Sequence, residues 1–147
     1  LVDGSREAVS RGEADAMDLY GVARLFESAG EAGRAAELLE MALEGHLSAH
    51  ASQTARKKLS HHFKKNEDWD KAVSLWQELG RGDHASSFRE LSMYYEHKVK
   101  NFEQAIRVAE EGLAVSMTQS AAERRDFEKR LERLKGKLRK GGGPARR

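Results

Sequence analysis

The residues of this chain able to ligate a metal or move a proton are 6 histidines and 24 carboxylates. His46 and His50 stand four apart, a spacing at which two imidazoles on one helix can share a Zn²⁺ ion. Gly45 and Ser48 interrupt a helix there, and neither a cysteine nor a well-placed acid completes four ligands. His61 and His62 are adjacent, so on a helix they point to different faces. Ordinary surface histidines are the simpler reading, and neither a metal nor another cofactor is expected. The acids fall on solvent faces beside Lys and Arg, and the neighbouring Glu110 and Glu111 diverge. No strand is predicted, so no glycine-rich phosphate loop can follow one. No catalytic residue is assigned, and the chain by itself is not expected to be an enzyme.

Binding is the sharper question, and two basic sets raise it. The first is Arg24, Lys57, His61, Lys64 and Arg89, with Tyr20 and Met93 beside them. These lie one position beyond the inward residues of three similar helices, or a turn further, where a groove would run. Lys and Arg there suit a carboxylate or phosphate through charge-assisted hydrogen bonds. An acidic peptide or a peptide C-terminus is the corresponding ligand; a plain solvated face is the competing reading. Glu27 and Glu96 are expected near the same groove, where they would weaken its field. The second set is Lys135, Lys137, Arg139 and Lys140, which suits non-specific phosphate contact with nucleic acid. That stretch has no aromatic platform for stacking bases. Cations at a helix C-terminus also complement the macrodipole with no partner at all.

Composition bounds the class. With 147 residues the chain is long enough for one ordinary domain with a core, and 34% of it is charged. The one proline is Pro144, and Val/Ile/Thr runs are few, which favours an all-α fold. The absence of cysteine removes disulfides and thiolate sites and is compatible with a reducing, cytoplasmic setting. No apolar run approaches a membrane span, so no membrane partner is expected. Net charge is +2 but uneven: Arg124–Arg147 carries +8 and the remainder −6. The chain starts at Leu1 without an initiator Met, which suggests a piece of something longer.

The elements that must position these residues are helices. Residues 1–13 read as a lead-in, and a helical repeat domain is expected over 14–140. From Asp15 one helical face carries Leu19, Val22, Ala23 and Phe26, and the run stops at Gly30. A second helix carries Ala35, Leu38, Leu39, Ala42 and Leu43 and ends at Gly45. Leu59–Leu79 holds a hairpin: Leu59 and Phe63, a polar turn, then Trp69, Ala72, Val73, Trp76 and Leu79. Asp83 is the expected N-cap of a fifth helix with Phe88, Leu91 and Tyr95. Phe102, Ala105, Ile106, Val108 and Ala109 mark the sixth. Ser120 and Glu123 have capping-box spacing at the start of a seventh, whose stripe is Phe127, Leu131, Leu134 and Leu138. That helix suits a cap, with a disordered tail expected at 141–147. The expected core is Leu19, Phe26, Leu39, Leu59, Phe63, Trp76, Leu91, Tyr95, Phe102 and Ile106.

The hairpins are registered. Ala35, Ala72 and Ala105 are separated by 37 and 33 residues, near the ~34 of a tetratricopeptide repeat. Ala23, Ser60 and Ser92 are the small residues facing them, and Phe26, Phe63 and Tyr95 the large ones beneath each turn. The third repeat needs one extra residue between Glu96 and Asn101, and Gly112 stands where alanine is usual. The pattern resembles a TPR-like array of three hairpins plus a C-terminal capping helix.

A narrower likeness rests on the run from Asp15 to Glu27, on Trp69–Leu79, and above all on Tyr95-Glu96-His97 and Asn101-Phe102-Glu103. Here the chain is similar to the C-terminal helical domain of bacterial RNase H-like (DEDD-type exonuclease-like) proteins. The likeness spans about Asp15–Leu138. It implies a nuclease-like domain upstream that holds the metal-binding carboxylates, none of which has a counterpart here. It implies a non-catalytic interaction or scaffold role, toward a protein partner or that upstream domain. A nucleic-acid-binding accessory role through the basic end is the alternative.

Overall fold

The computed structural model describes the backbone of residues 4–142 and the side chains of residues 16–141. Every element among the described residues is helical. In order they are α1 (Gly4–Ser28), α2 (Ala32–Leu43), α3 (Ala49–Lys65), α4 (Trp69–Arg81), α5 (Ala85–Tyr94), a π turn (Tyr95–Val99), α6 (Phe102–Ser116) and α7 (Ala121–Lys137). A last turn, Leu138–Gly142, kinks at Gly141, whose φ is 101°. Among the described residues no helix is long and apolar enough to cross a membrane. The chain forms two compact units, Leu1–Leu75 and Trp76–Arg147, with α4 contributing to both.

In the first unit α1 pairs with α2 and α2 with α3. Ala16 and Ala23 of α1, Ala35, Ala36, Leu39 and Ala42 of α2, and Ala55, Leu59 and Phe63 of α3 are buried. Lys71, from the first turn of α4, lies over the Phe63 ring at 5.0 Å and 3.7 Å from Glu40. Leu19 and Phe26 are half-buried. Val22, expected inward, is 40% exposed. The buried stripe of α1 runs through Ala16, Leu19, Ala23 and Phe26, and one residue's rotation carries Val22 off it.

In the second unit α5 packs on α6 and α6 on α7. Ala85, Ala105, Ala109, Phe127, Leu131 and Leu134 form its core, with Phe88, Tyr95, Phe102 and Ile106 packed around them and partly buried. Trp76 and Leu91 are buried as expected. The Ser92 hydroxyl, wholly buried, donates to the Ala105 carbonyl at 3.0 Å, so a serine can stand where α5 and α6 approach closely. All six small residues expected at close approaches, Ala23, Ser60, Ser92, Ala35, Ala72 and Ala105, are buried.

The helix ends explain the turns. At the first, Glu31 N–H donates to the Phe26 carbonyl (2.8 Å) around Gly30, whose φ is 81°. Asp68 N–H donates to Phe63 (2.8 Å) around Glu67, whose φ is 60°. Asn101 N–H donates to Tyr95 (2.8 Å) after Lys100, whose φ is 63°. In each, a left-handed residue lets a later N–H reach back and satisfy a carbonyl left open at the helix end. The third turn is one residue longer, and the π turn Tyr95–Val99 absorbs it, which is how a helix accommodates a single insertion. Asp83 has the same left-handed role after α4, at φ 62°. It is therefore not the N-cap of α5; that position is His84, which makes no side-chain cap bond. Ser120 does cap α7, accepting from Glu123 N–H at 3.2 Å.

Two sequence expectations concern the ends. The lead-in over 1–13 is helical from Gly4 onward. Once α1 exists, each added residue gains one backbone bond with no new nucleation cost. Arg6, Glu7, Ala8, Arg11, Glu13 and Ala14 are good helix formers, so no apolar periodicity is needed. Residues 1–3 of that lead-in and 143–147 of the expected tail lie outside the described residues.

Candidate functional site

The first unit carries a pocket between the α1–α2 hairpin and α3, about 220 Å³ in volume. Its floor is apolar: Ala32, Ala35, Ala36 and Leu39 from α2, and Leu59 from α3. Three alanines on one side of α2 leave open the space that larger side chains would fill. Its rim is polar: Glu27 of α1, and Lys58, His61, His62 and Lys65 of α3. The four α3 residues follow i, i+3, i+4, i+7 spacing, so they flank one broad stripe of the helix, with His61 and His62 on its two sides about 100° apart.

The rim is partly organised by its own bonds. Lys58 Nζ donates to Glu27 Oε1 at 2.7 Å, tying α3 to the end of α1. Asn66 holds His62, with its Nδ2 donating to the His62 carbonyl at 3.1 Å and lying 3.2 Å from Nε2. The His62 ring stands edge-on to Phe63. His61 and Lys65 are exposed. Ala32, the first residue of α2, lines the pocket, and α2 has no side-chain cap. The partial positive charge of that helix end adds to the rim. With Glu27 paired to Lys58, the rest of the rim is Lys65 and two imidazoles above an apolar floor. Such a surface can hold an apolar group and an anion side by side.

The residues predicted for a groove divide between the two units. Tyr20, Arg24, Lys57, His61 and Lys64 belong to the first, Arg89 and Met93 to the second. Of the first group only His61 lines the pocket. Arg24 and Lys57 are exposed, and Tyr20 and Lys64 are half-buried. Sequence reasoning chose the stripe Lys57, His61, Lys64 and passed over Lys58, His62 and Lys65. Both sets have i, i+4, i+7 spacing, so spacing alone does not separate them.

The second unit holds a different electrostatic centre. The π turn brings Glu96 inward, where its side chain is fully buried. Glu96 is thus not a groove residue. Arg133 of α7 grips its carboxylate with both terminal nitrogens, one of them at 3.2 Å from Oε1. Lys137 Nζ donates to Oε2 at 2.7 Å and also lies 5.5 Å from the centre of the Phe102 ring. His97 and Arg130 stand 3.5 and 3.9 Å from Oε1. Burial pushes the Glu96 carboxyl up, but hydrogen bonds from Arg133 and Lys137, with the charges of Arg133 and His97, outweigh it and hold the group at about 2. Arg133 is raised in turn by its hydrogen bond to Glu96. Arg130 is lowered, first by burial; Asp126 and Glu96 oppose that, while the cations Arg133 and Arg89 add to it. The field of Arg89 thus falls on Arg130.

The four basic residues singled out near the C-terminus do not form one patch. Lys137 is committed to Glu96, whereas Lys135 lies on the other flank of α7, 3.9 Å from Glu110. Arg139 and Lys140 are exposed beyond the end of α7. Among the described residues no group of three or more His, Asp or Glu is placed to hold a metal ion.

No family model matches the chain. It is similar to the uncharacterized protein YprB of Bacillus subtilis (strain 168), with 33% identity over 124 residues. That alignment covers 82% of this chain but 30% of YprB, so the chain spans under a third of that relative's length.

Proposed function

We propose that this chain is a non-catalytic interaction module that binds a protein partner through the pocket over α2 and α3. The observation that carries the reading is the combination of an alanine-leucine floor with a polar rim of lysines and imidazoles in one cleft. Apolar burial supplies affinity and the charges supply orientation, which is how a small pocket selects a peptide segment. The finer architecture belongs to this proposal. It is a TPR-like array of three hairpins with α7 as its cap, and the repeated turn at Gly30, Glu67 and Lys100 supports it. The parent would be a longer RNase H-like protein with this array at its C-terminus. The test is affinity capture with the full chain and with His61→Glu/Lys65→Glu. A set of proteins lost with the variant is expected, and an identical set would sink the reading.

The exposed cations Lys135, Arg139 and Lys140 favour a second reading, in which the end of α7 contacts nucleic-acid phosphates. Binding to single- and double-stranded nucleic acid across a salt series tests it. Lys135→Glu/Arg139→Glu/Lys140→Glu should then abolish binding, and no binding by the unaltered chain at low salt would exclude it.

A further inference from the structure

We infer that this chain associates with further copies of itself, the Lys98-Val99-Lys100 tip of one copy entering a cleft between α2 and the start of α4 on the next. This cleft is not the pocket described above; Leu59 alone borders both. Its volume is about 300 Å³. Leu59 and Phe63 of α3 form the floor, with Leu43 of α2 and Leu75 of α4 at the sides. The charged residues of the rim are Glu40, Glu44 and Lys71. Lys71 lies 3.7 Å from Glu40, whereas Glu44 is exposed and has no ion-pair partner among the described residues. Glu44 is also the C-cap of α2, and no basic residue stands in the last turn of that helix. The partial negative charge of the helix end therefore adds to that of Glu44. Such a cleft calls for an apolar side chain with a cation beside it.

The chain presents that chemistry at the tip where the π turn gives way to α6. Val99 is 45% exposed there, and Lys98 and Lys100 on either side of it are exposed too. The other two hairpin tips, Ala29-Gly30-Glu31 and Asn66-Glu67-Asp68, carry acids and no large apolar residue. The third tip is also fixed before it meets anything. Asn101 N–H donates to the Tyr95 carbonyl at 2.8 Å, and Arg133 and Lys137 hold the buried Glu96. A preformed tip loses little freedom on docking. In the contact, Val99 enters among Leu43, Leu59, Phe63 and Leu75, and Lys100 Nζ donates to the Glu44 carboxylate. Cleft and tip are different surfaces, so the contact is heterologous. Each copy offers both, and association continues past a pair unless a ring closes.

The experiment is sedimentation equilibrium of the full chain from about 10 μM to about 1 mM, the range in which small interfaces act. The average mass should rise with concentration and pass that of a dimer. Glu44→Lys disables the cleft, and Val99→Ser/Lys100→Gly disables the tip. All three positions are exposed, so neither variant should lower the melting point. Each variant alone should associate about tenfold more weakly or less. An equimolar mixture of the two should recover association and stop at a dimer, because one variant keeps an intact cleft and the other an intact tip. A chain that stays monomeric to about 1 mM would overturn the inference. Association indifferent to either variant would overturn it as well. So would a mixture that forms no dimer while the unaltered chain associates, since a heterologous contact between these two surfaces must be restored by mixing.

Discussion

A Cβ added to Gly112 would lie 2.5 Å from two carbons of the Phe127 ring, and 2.8 Å from Phe88 Cβ. Phe127 is completely buried, so α7 seats its largest apolar side chain in the space that Gly112 of α6 leaves empty. The glycine that departs from the repeat pattern and the aromatic ring that opens the stripe of α7 are two halves of one contact. Gly112→Ala should therefore destabilise the chain although alanine is the better helix former. Overpacking costs about 1–3 kcal/mol, which exceeds the ~1 kcal/mol gained in propensity. The net loss should be up to about 2 kcal/mol, read as a lower urea midpoint. Adding Phe127→Leu to Gly112→Ala should cost less than the two single losses combined.

Glu96 makes the acid limb of stability a specific test. Its folded value of about 2 lies below the ordinary 4.5. A depressed carboxyl stabilises the folded state fully above the unfolded value and loses that contribution as pH falls toward the folded value. Between pH 4.5 and 2 the unaltered chain should thus lose up to about 3 kcal/mol from this group. Glu96→Gln should lack that part of the slope. At pH 7 the same variant should be less stable by about 2 kcal/mol, because Arg133 and Lys137 lose their buried partner yet keep access to water. Urea midpoints from pH 7 to 2 for the two proteins measure both effects. Parallel curves would show that the clamp carries no proton linkage.

What could be read from the sequence follows from which interactions are local. The buried alanines and serines at each hairpin were legible because close helix approach demands small residues at fixed spacing. The stripe Phe127, Leu131, Leu134 and the Ser120 cap were legible because period and capping are properties of one helix. Glu96 was misplaced because its direction depends on the π turn, and a repeat interval reveals an extra residue without revealing how the helix absorbs it. The pocket was missed for a similar reason. Lys57 and Lys58 differ by about 100° around α3, and only its packing against α2 decides which of them meets the alanines. Val22 failed the same way on α1.

Lys100 offers a stabilising change. It adopts φ 63° at an exposed position, where its N–H donates to the Tyr95 carbonyl. A residue with a Cβ is strained there, and glycine is not. Gly30 already fills the equivalent turn of the first hairpin, at φ 81°. Lys100→Gly should raise stability by about 0.5–1 kcal/mol, the relief of strain exceeding the added freedom of the unfolded chain. A denaturation midpoint that falls instead would mean that the Lys100 side chain contributes more than its backbone strain costs.

Lys137 and Lys140 are three residues apart and should behave oppositely. Lys137 reaches the buried Glu96 carboxylate at 2.7 Å and covers the Phe102 ring, whereas Lys140 is exposed past the end of α7. Lys137→Glu would set a second carboxylate against Glu96, so a loss of about 2 kcal/mol or more is expected. Lys140→Glu should stay within about 0.5 kcal/mol of the unaltered chain. Thermal or urea unfolding of the two variants checks this directly. The contrast also governs any study of nucleic-acid contact by this end of the chain. A binding loss caused by Lys137→Glu would not separate a lost phosphate contact from a loosened α7. The same loss in Lys135→Glu/Arg139→Glu/Lys140→Glu, at unchanged stability, would report the phosphate contact alone.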